Sequence, residues 1–127
     1  MNTCVIGLGS NISPDRHIPM AKAHLARKFL ILRVSRLAKT KPVGFKDQPY
    51  FINGAVLAET DLGQSQVRSV LKSIEKQMGR VKTANKHGPR SIDLDLLLWN
   101  GTIIDNDLRR RDFLQKAVKE LLPEFTL

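Results

Sequence analysis

The sequence predicts an α+β fold of the ferredoxin-like kind: a mainly antiparallel sheet with helices packed against it and an extra β-hairpin. Three observations carry this expectation. Short aliphatic and β-branched runs and longer amphipathic ones follow the order β, α, β, loop, β, α, loop, β-hairpin, α. The clearest helix, Gln64 to Met78, sets Val67, Val70, Leu71, Ile74 and Met78 on one stripe. The strongest strand, Ser91 to Trp99, runs into Asn100-Gly101, a tight hairpin signal, and then Thr102-Ile103-Ile104. The helices are expected on one face of the sheet.

The remaining elements follow from local chemistry. Thr3 to Leu8 reads as a first strand ended by the turn-forming Gly9-Ser10-Asn11. Ser13-Pro14 supplies a cap and a first-turn proline for a helix reaching about Phe29. Pro19 lacks a backbone donor, so it either delays that helix or bends its first turns. Leu30 to Lys39 alternates partially and predicts one strand with Arg33 and Arg36 outward. Thr40 to Tyr50 holds two prolines, a glycine and mixed charge, the composition of a loop. Phe51 to Thr60 returns to strand character, Gly79 stops the central helix, and Arg80 to Pro89 is a basic loop. A last helix fits Asp112 to Leu122.

The 127 residues suit one domain, taken as 1–127, and no repeat or linker interrupts them. Apolar residues at 42% and charged residues at 26% are ordinary globular usage, which argues against disorder. The formal charge of +9 favours a polyanionic partner. A lone Cys4 excludes an internal disulfide and a multi-cysteine metal site; in an apolar strand it is a core residue, and it fits a reducing compartment. With no leader-like segment or long apolar span, a cytoplasmic protein is expected, with no membrane partner.

The densest chemical signal is His87-Gly88-Pro89-Arg90-Ser91-Ile92-Asp93-Leu94-Asp95. On a strand, residues two apart share a face, so Asp93 and Asp95 project together while Ile92, Leu94 and Leu96 line the other side. Two adjacent carboxylates beside an apolar strand are costly to ionise unless a cation or donors neutralise them. Magnesium, which takes oxygen ligands, keeps waters and often bridges carboxylates to substrate phosphates, answers that need. Arg80, Lys82, Lys86 and Arg90 before the pair, and Arg109, Arg110 and Arg111 after it, suit the outer oxygens of a nucleotide triphosphate. The bland alternative is a solvated strand face whose acids pair with nearby cations.

With these residues in view, the sequence resembles the 6-hydroxymethyl-7,8-dihydropterin pyrophosphokinase family (HPPK), as a short member. The matching pieces come in the family's order: Gly7-Leu8-Gly9-Ser10-Asn11, Thr40-Lys41-Pro42-Val43-Gly44 with Asp47-Gln48-Pro49, Phe51-Ile52-Asn53, Glu75 with Gly79-Arg80, and Gly88-Pro89-Arg90-Ser91-Ile92-Asp93-Leu94-Asp95. The resemblance implies transfer of pyrophosphate from ATP to the pterin hydroxymethyl oxygen, with release of AMP, in folate biosynthesis. It implies Asp93 and Asp95 as ligands of two Mg2+ ions, and Arg80, Arg90, Asp93 and Asp95 as the catalytic set. Phe51 and Phe113 are implied as the two faces of a pterin slot, with Asn53 on the heterocycle's polar edge and Thr40 and Val43 giving loop contacts. For ATP it implies Glu75, Arg80, Lys82, Lys86, His87, Arg90 and Arg111. A monomer is expected, with ATP and the pterin as partners rather than nucleic acid.

The family pattern breaks after Leu108, where a Pro-His-containing stretch is absent and Arg109-Arg110-Arg111-Asp112-Phe113 follows directly. Arg109 and Arg110 are then expected to replace lost nucleotide contacts electrostatically. Two alternatives stand beside this reading: a degenerate relative that binds pterin or nucleotide with little turnover, and a basic ferredoxin-like RNA-binding module.

Overall fold

Why the chain builds a sheet covered on both sides is visible in its middle strands. Cys4 to Ser10 of β1 (Asn2–Ser10) are buried without a break, as are Gly54 to Ala58 of β4 (Phe51–Thr60). A strand buried on both faces needs a layer on each, and continuous apolar runs rather than alternation are its signature. The computed structural model describes residues 1–42, 44, 46–79 and 89–126.

Between these strands lie α1 (Pro14–Lys28), β2 (Leu30–Val34) and β3 (Ala38–Thr40); after them come α2 (Gln64–Gln77), β5 (Asp93–Trp99), β6 (Thr102–Ile103), a 3-10 turn at Asn106–Arg109, and α3 (Asp112–Leu121). The sheet runs β2-β4-β1-β5-β6 with every neighbour antiparallel, and β3 extends the β2 edge by pairing with the other end of β4. The helix α1 passes through Pro19 and starts at Pro14, with Ser13 as its cap residue in the left-handed region. Asn100 and Gly101 both have positive φ, at 48° and 82°, the conformation the two-residue hairpin requires.

Two sequence expectations are corrected. The single strand expected over Leu30 to Lys39 is two, because Ser35 interrupts it: its N–H donates to the Ala55 carbonyl at 2.9 Å and its hydroxyl accepts from the Ala55 N–H at 2.9 Å. A side-chain oxygen there takes the place of a ladder carbonyl. The helices also cover both faces, not one. On one side Ile18, Ala21 and Leu25 of α1 and Val67, Leu71 and Ile74 of α2 pack on Cys4, Ile6, Leu8, Val56, Leu94 and Leu96. On the other, Leu108, Val118 and Leu121 pack on Val5, Ala55, Leu57, Leu97 and Leu98.

A bulge in β5 positions the site. The register steps from Val5 opposite Leu98 to Ile6 opposite Leu96, leaving Leu97 as the extra residue. Leu97 shares the face of Asp93 and Asp95 by alternation, and the bulge brings Leu98 to that face too. One end of the face is therefore apolar and covered by α3, and the other is acidic and left open.

Candidate active site

A cleft of about 1190 Å³ opens where α3 stops covering the sheet. Its floor is the two glycines of β1. Gly9 lies opposite Asn53 on β4 and opposite Asp93 on β5, and Gly7 lies opposite Ala55 and Asp95. Residues directly opposite in a ladder share a face, so Asn53 and Asp93 stand on one surface, two strand spacings apart, about 9–10 Å. The central strand contributes no side chain to the lane between them, over which the Asn53 amide leans. A Cβ on Gly9 would lie 2.5 Å from Asn53 Oδ1, and one on Gly7 would lie 3.1 Å from the Leu97 side chain. Close approach rather than backbone angle favours glycine here, strongly at Gly9 and more weakly at Gly7. At the β4 end of the lane, Asn53 Nδ2 donates to Thr40 Oγ1, which orients the amide. Phe51 and Phe113, the second residue of α3, both line the cleft beside it.

At the other end the two acids point together, close enough for Asp95 to share a hydrogen bond with Asp93. Arg90 Nη1 donates to Asp93 Oδ2 at 3.1 Å with both side chains mostly buried. Among the described residues no cation is bonded to Asp95. It remains open toward the cleft, but protein atoms crowd its other sides. Burial first, then repulsion from Asp93 and Asp105, the hydrogen bond to Asp93, and Glu75 push its carboxyl up to about 8. A carboxyl whose proton is favoured by burial and then by neighbouring acids invites a cation in place of that proton. Among the described residues no three acidic, histidine or cysteine side chains cluster closely enough to hold a metal alone. An ion at Asp93 and Asp95 would complete its shell with water and phosphate oxygen, which is magnesium's habit. The residues present fit Mg2+.

The separated motifs meet at Asn11, which is buried. Its Oδ1 accepts from the Arg90 N–H at 2.8 Å and its own N–H donates to the Arg90 carbonyl at 3.1 Å. Its Nδ2 donates to Gln48 Oε1 at 2.8 Å and to the Pro49 carbonyl at 3.0 Å. One amide thus fastens the segment entering β4 to the segment carrying Arg90. Glu75 Oε2 accepts from the Leu94 N–H at 2.8 Å, so the residue expected at the nucleotide also fastens α2 to β5.

Of the expected site residues, Thr40, Phe51, Asn53, Glu75, Arg90, Asp93, Asp95, Arg111 and Phe113 all line the one cleft. Val43, Arg80, Lys82, Lys86 and His87 lie outside the described residues. Arg109 and Arg110 do not reach the lining; Arg110 bonds Asp107 at 3.1 Å instead, so the expectation that this pair serves the nucleotide has no support in the geometry. Sequence reasoning missed Asp105, which faces Asp95, and Arg68, Lys72 and Lys76 of α2. Helical spacing of the three cations was a usable signal; nothing in the sequence marks Asp105.

An antiparallel sheet with paired acids, two phenylalanines and cations around one cleft is an arrangement suited to metal and phosphate chemistry on an α+β fold. Comparison with known proteins narrows this. The family model for 7,8-dihydro-6-hydroxymethylpterin-pyrophosphokinase (HPPK) matches residues 5–123. The chain belongs to that family, whose members are ATP-dependent pyrophosphokinases using Mg2+. It is 31% identical to the 2-amino-4-hydroxy-6-hydroxymethyldihydropteridine pyrophosphokinase of Haemophilus influenzae over 100% of this chain and 86% of that one. It is 32% identical to the folic acid synthesis protein fol1 of Schizosaccharomyces pombe over 94% of this chain, and spans only 18% of that protein's length. A crystal structure of Plasmodium falciparum HPPK-DHPS with SDX-DHP superposes with a TM-score of 0.56 at 18% identity, covering 94% of this chain and 33% of that one. That likeness supports the fold.

Proposed function

We propose that the chain transfers the pyrophosphoryl group of ATP to the hydroxymethyl group of 6-hydroxymethyl-7,8-dihydropterin, releasing AMP, in folate biosynthesis. The observation that carries this reading is the glycine lane, with an amide and an aromatic slot at one end and two joined carboxylates at the other. A planar heterocycle between Phe51 and Phe113 meets Asn53, whose amide offers both a donor and an acceptor. Its hydroxymethyl arm then extends along the lane toward Asp93 and Asp95. The alcohol oxygen attacks the β-phosphorus, the bond from that phosphorus to the α-phosphate oxygen breaks, AMP leaves, and the alcohol proton passes to solvent.

Mg2+, two ions in this reading, would be held by Asp93 and Asp95 and would neutralise phosphate charge when bound. Arg90 holds Asp93 in place and presents its remaining donors to the phosphates, and Arg111 adds charge from the N-terminus of α3. Arg80, Lys82, Lys86 and His87 are assigned to the nucleotide, and Val43 to the pterin, by family position alone. Positioning and electrostatic stabilisation carry the reaction, and no general base is assigned. The same reading takes residues 1–127 as one domain acting as a cytoplasmic monomer; no helix among the described residues is long and apolar enough to cross a membrane.

The test is AMP formation from ATP, Mg2+ and the hydroxymethyl dihydropterin, with Asp95→Ala beside the wild type. AMP is expected from the wild type, with the rate reduced about a hundredfold or more in the variant. Equal rates in the two, or no AMP from the folded wild type, would sink the reading.

A further inference from the structure

Phe113 and Glu120 are close to two full turns apart on α3, so they share one side of the helix at a separation of about 10 Å. Lys116 and Ala117 lie between them on that side. Rather than packing on β3 directly, this side of α3 and residues 36–40 line a hollow of about 490 Å³ between them. Val118 and Leu121, on a neighbouring side, hold α3 to the middle of the sheet. Apolar burial is non-directional, so it keeps α3 on the sheet but leaves its distance from the β3 edge to be set by something else.

Glu120 closes one end of the hollow. Its Oε2 accepts from the Arg36 N–H at 2.7 Å, and its Oε1 lies 3.3 Å from the same nitrogen. The Arg36 side chain is 96% exposed and its Nε is 3.8 Å from Oε1, so the ion pair contributes little and the backbone bond carries the contact. That N–H is free to reach α3 because the ladder to β4 breaks there: Ser35, Arg36 and Leu37 stand against Gly54 and Ala55 alone, between the Val34–Val56 and Ala38–Asn53 pairs. Ser35 fastens the break to Ala55, and beyond it Ala38 pairs with Asn53 and Thr40 with Phe51. The carboxylate thus ties α3 to the strands that carry Asn53, Thr40 and Phe51. Phe113 stands at the other end of the hollow, beside Asn53 and Thr40. Gln115, the other α3 side chain with a hydrogen bond among the described residues, bonds back to Arg109 and not to the sheet.

Resting on the pyrophosphoryl-transfer reading, we infer that Glu120 is a positioning residue for the pterin slot: by holding α3 to the Arg36 N–H, it fixes how far Phe113 stands from Asn53 and Phe51. It touches neither substrate. An ionised acceptor on a backbone N–H is stronger than a neutral one, and without it a small roll of α3 moves the Phe113 ring off the heterocycle. The nucleotide end of the cleft is not tied to this bond. Glu75, Arg90, Asp93 and Asp95 do not border the hollow, and Arg111 is anchored separately by its N–H to the Asp107 carbonyl at 3.0 Å.

The test measures two affinities by calorimetric titration: that of a non-hydrolysable ATP analogue with Mg2+, and that of the hydroxymethyl dihydropterin with both present. Wild type is compared with Glu120→Ala, Glu120→Gln, Phe113→Ala and the Glu120→Ala, Phe113→Ala double variant, each shown by thermal melting to be folded at the assay temperature. Glu120→Ala is expected to weaken pterin binding about tenfold and to leave the ATP analogue unchanged. Glu120→Gln keeps an acceptor for the Arg36 N–H and should stay within about threefold of wild type. In the Phe113→Ala background, Glu120→Ala should change pterin affinity by less than about twofold, since the ring it places is gone. Wild-type pterin affinity in Glu120→Ala, equal loss of both ligands, or an effect that persists without Phe113 overturns the positioning role alone. A folded wild type that binds the ATP analogue but no pterin overturns the reading beneath it as well.

Discussion

Gly9 illustrates how much of the site rests on an absent side chain. It sits between Asn53 and Asp93 in three adjacent strands, and a methyl group there would lie 2.5 Å from Asn53 Oδ1. Since Asn53 is already tied to Thr40, the amide has to rotate away or the strands have to part. The Gly9→Ala variant is expected to lose about 1–3 kcal/mol of stability through overpacking. Its pterin affinity should fall about tenfold or more through the displaced amide, with nucleotide affinity kept. Calorimetric titration of each ligand checks this, and equal loss for both would mean the strands have separated. Asn53 was implied by the family resemblance; that one of its partners is Thr40 was not visible in sequence.

Among the elements, the joints carry more of the site than the strands do. Asn11 bonds Arg90 on one side and Gln48 and Pro49 on the other, and these residues are 79, 37 and 38 positions away in the chain. Asn11→Ala removes three part-buried side-chain hydrogen bonds, to the Arg90 N–H, Gln48 and Pro49, for an expected cost of about 2 kcal/mol by urea unfolding. Because Arg90 holds Asp93 and Pro49 leads to Phe51, kcat/KM should fall further than stability alone explains, when assayed well below the variant's Tm. Activity equal to wild type there would show the joint to be structural only. The motif pieces holding Asn11, Gln48 and Arg90 were legible in sequence, but their meeting was not, since no local rule links residues that distant.

For the whole molecule, a chain of net charge +9 carries a cleft lined by Glu75, Asp93, Asp95 and Asp105. Asp95 binds its proton up to about pH 8 in the folded chain but near its ordinary 3.8 when unfolded. Between those values the folded state holds the extra proton, so this carboxyl's contribution to metal-free stability is greatest at the acid end and declines as pH rises from about 4 to about 8. Mg2+ must displace that proton, so its stabilising effect grows over the same window. Thermal melts at pH 6 and pH 8.5 are expected to show a larger Mg2+-induced rise in Tm at the higher pH. Asp95→Asn should remove both the metal-free decline attributable to this carboxyl and the Mg2+ response. A Mg2+ response independent of pH would place the ion elsewhere.

The sequence by itself determined the α+β order, the hairpin at Asn100-Gly101, the apolar face of α2 and the side-by-side placement of Asp93 and Asp95, because each follows from a period of 2 or 3.6 or from a turn that demands positive φ. Only the tertiary structure decided that α3 lies on the opposite face from α1 and α2, that Ser35 splits one strand into two, and that the bulge at Leu97 divides a strand face into a covered half and an open half. Those outcomes depend on which surfaces compete for burial and on pairings between residues far apart in the chain, and neither is written in local spacing.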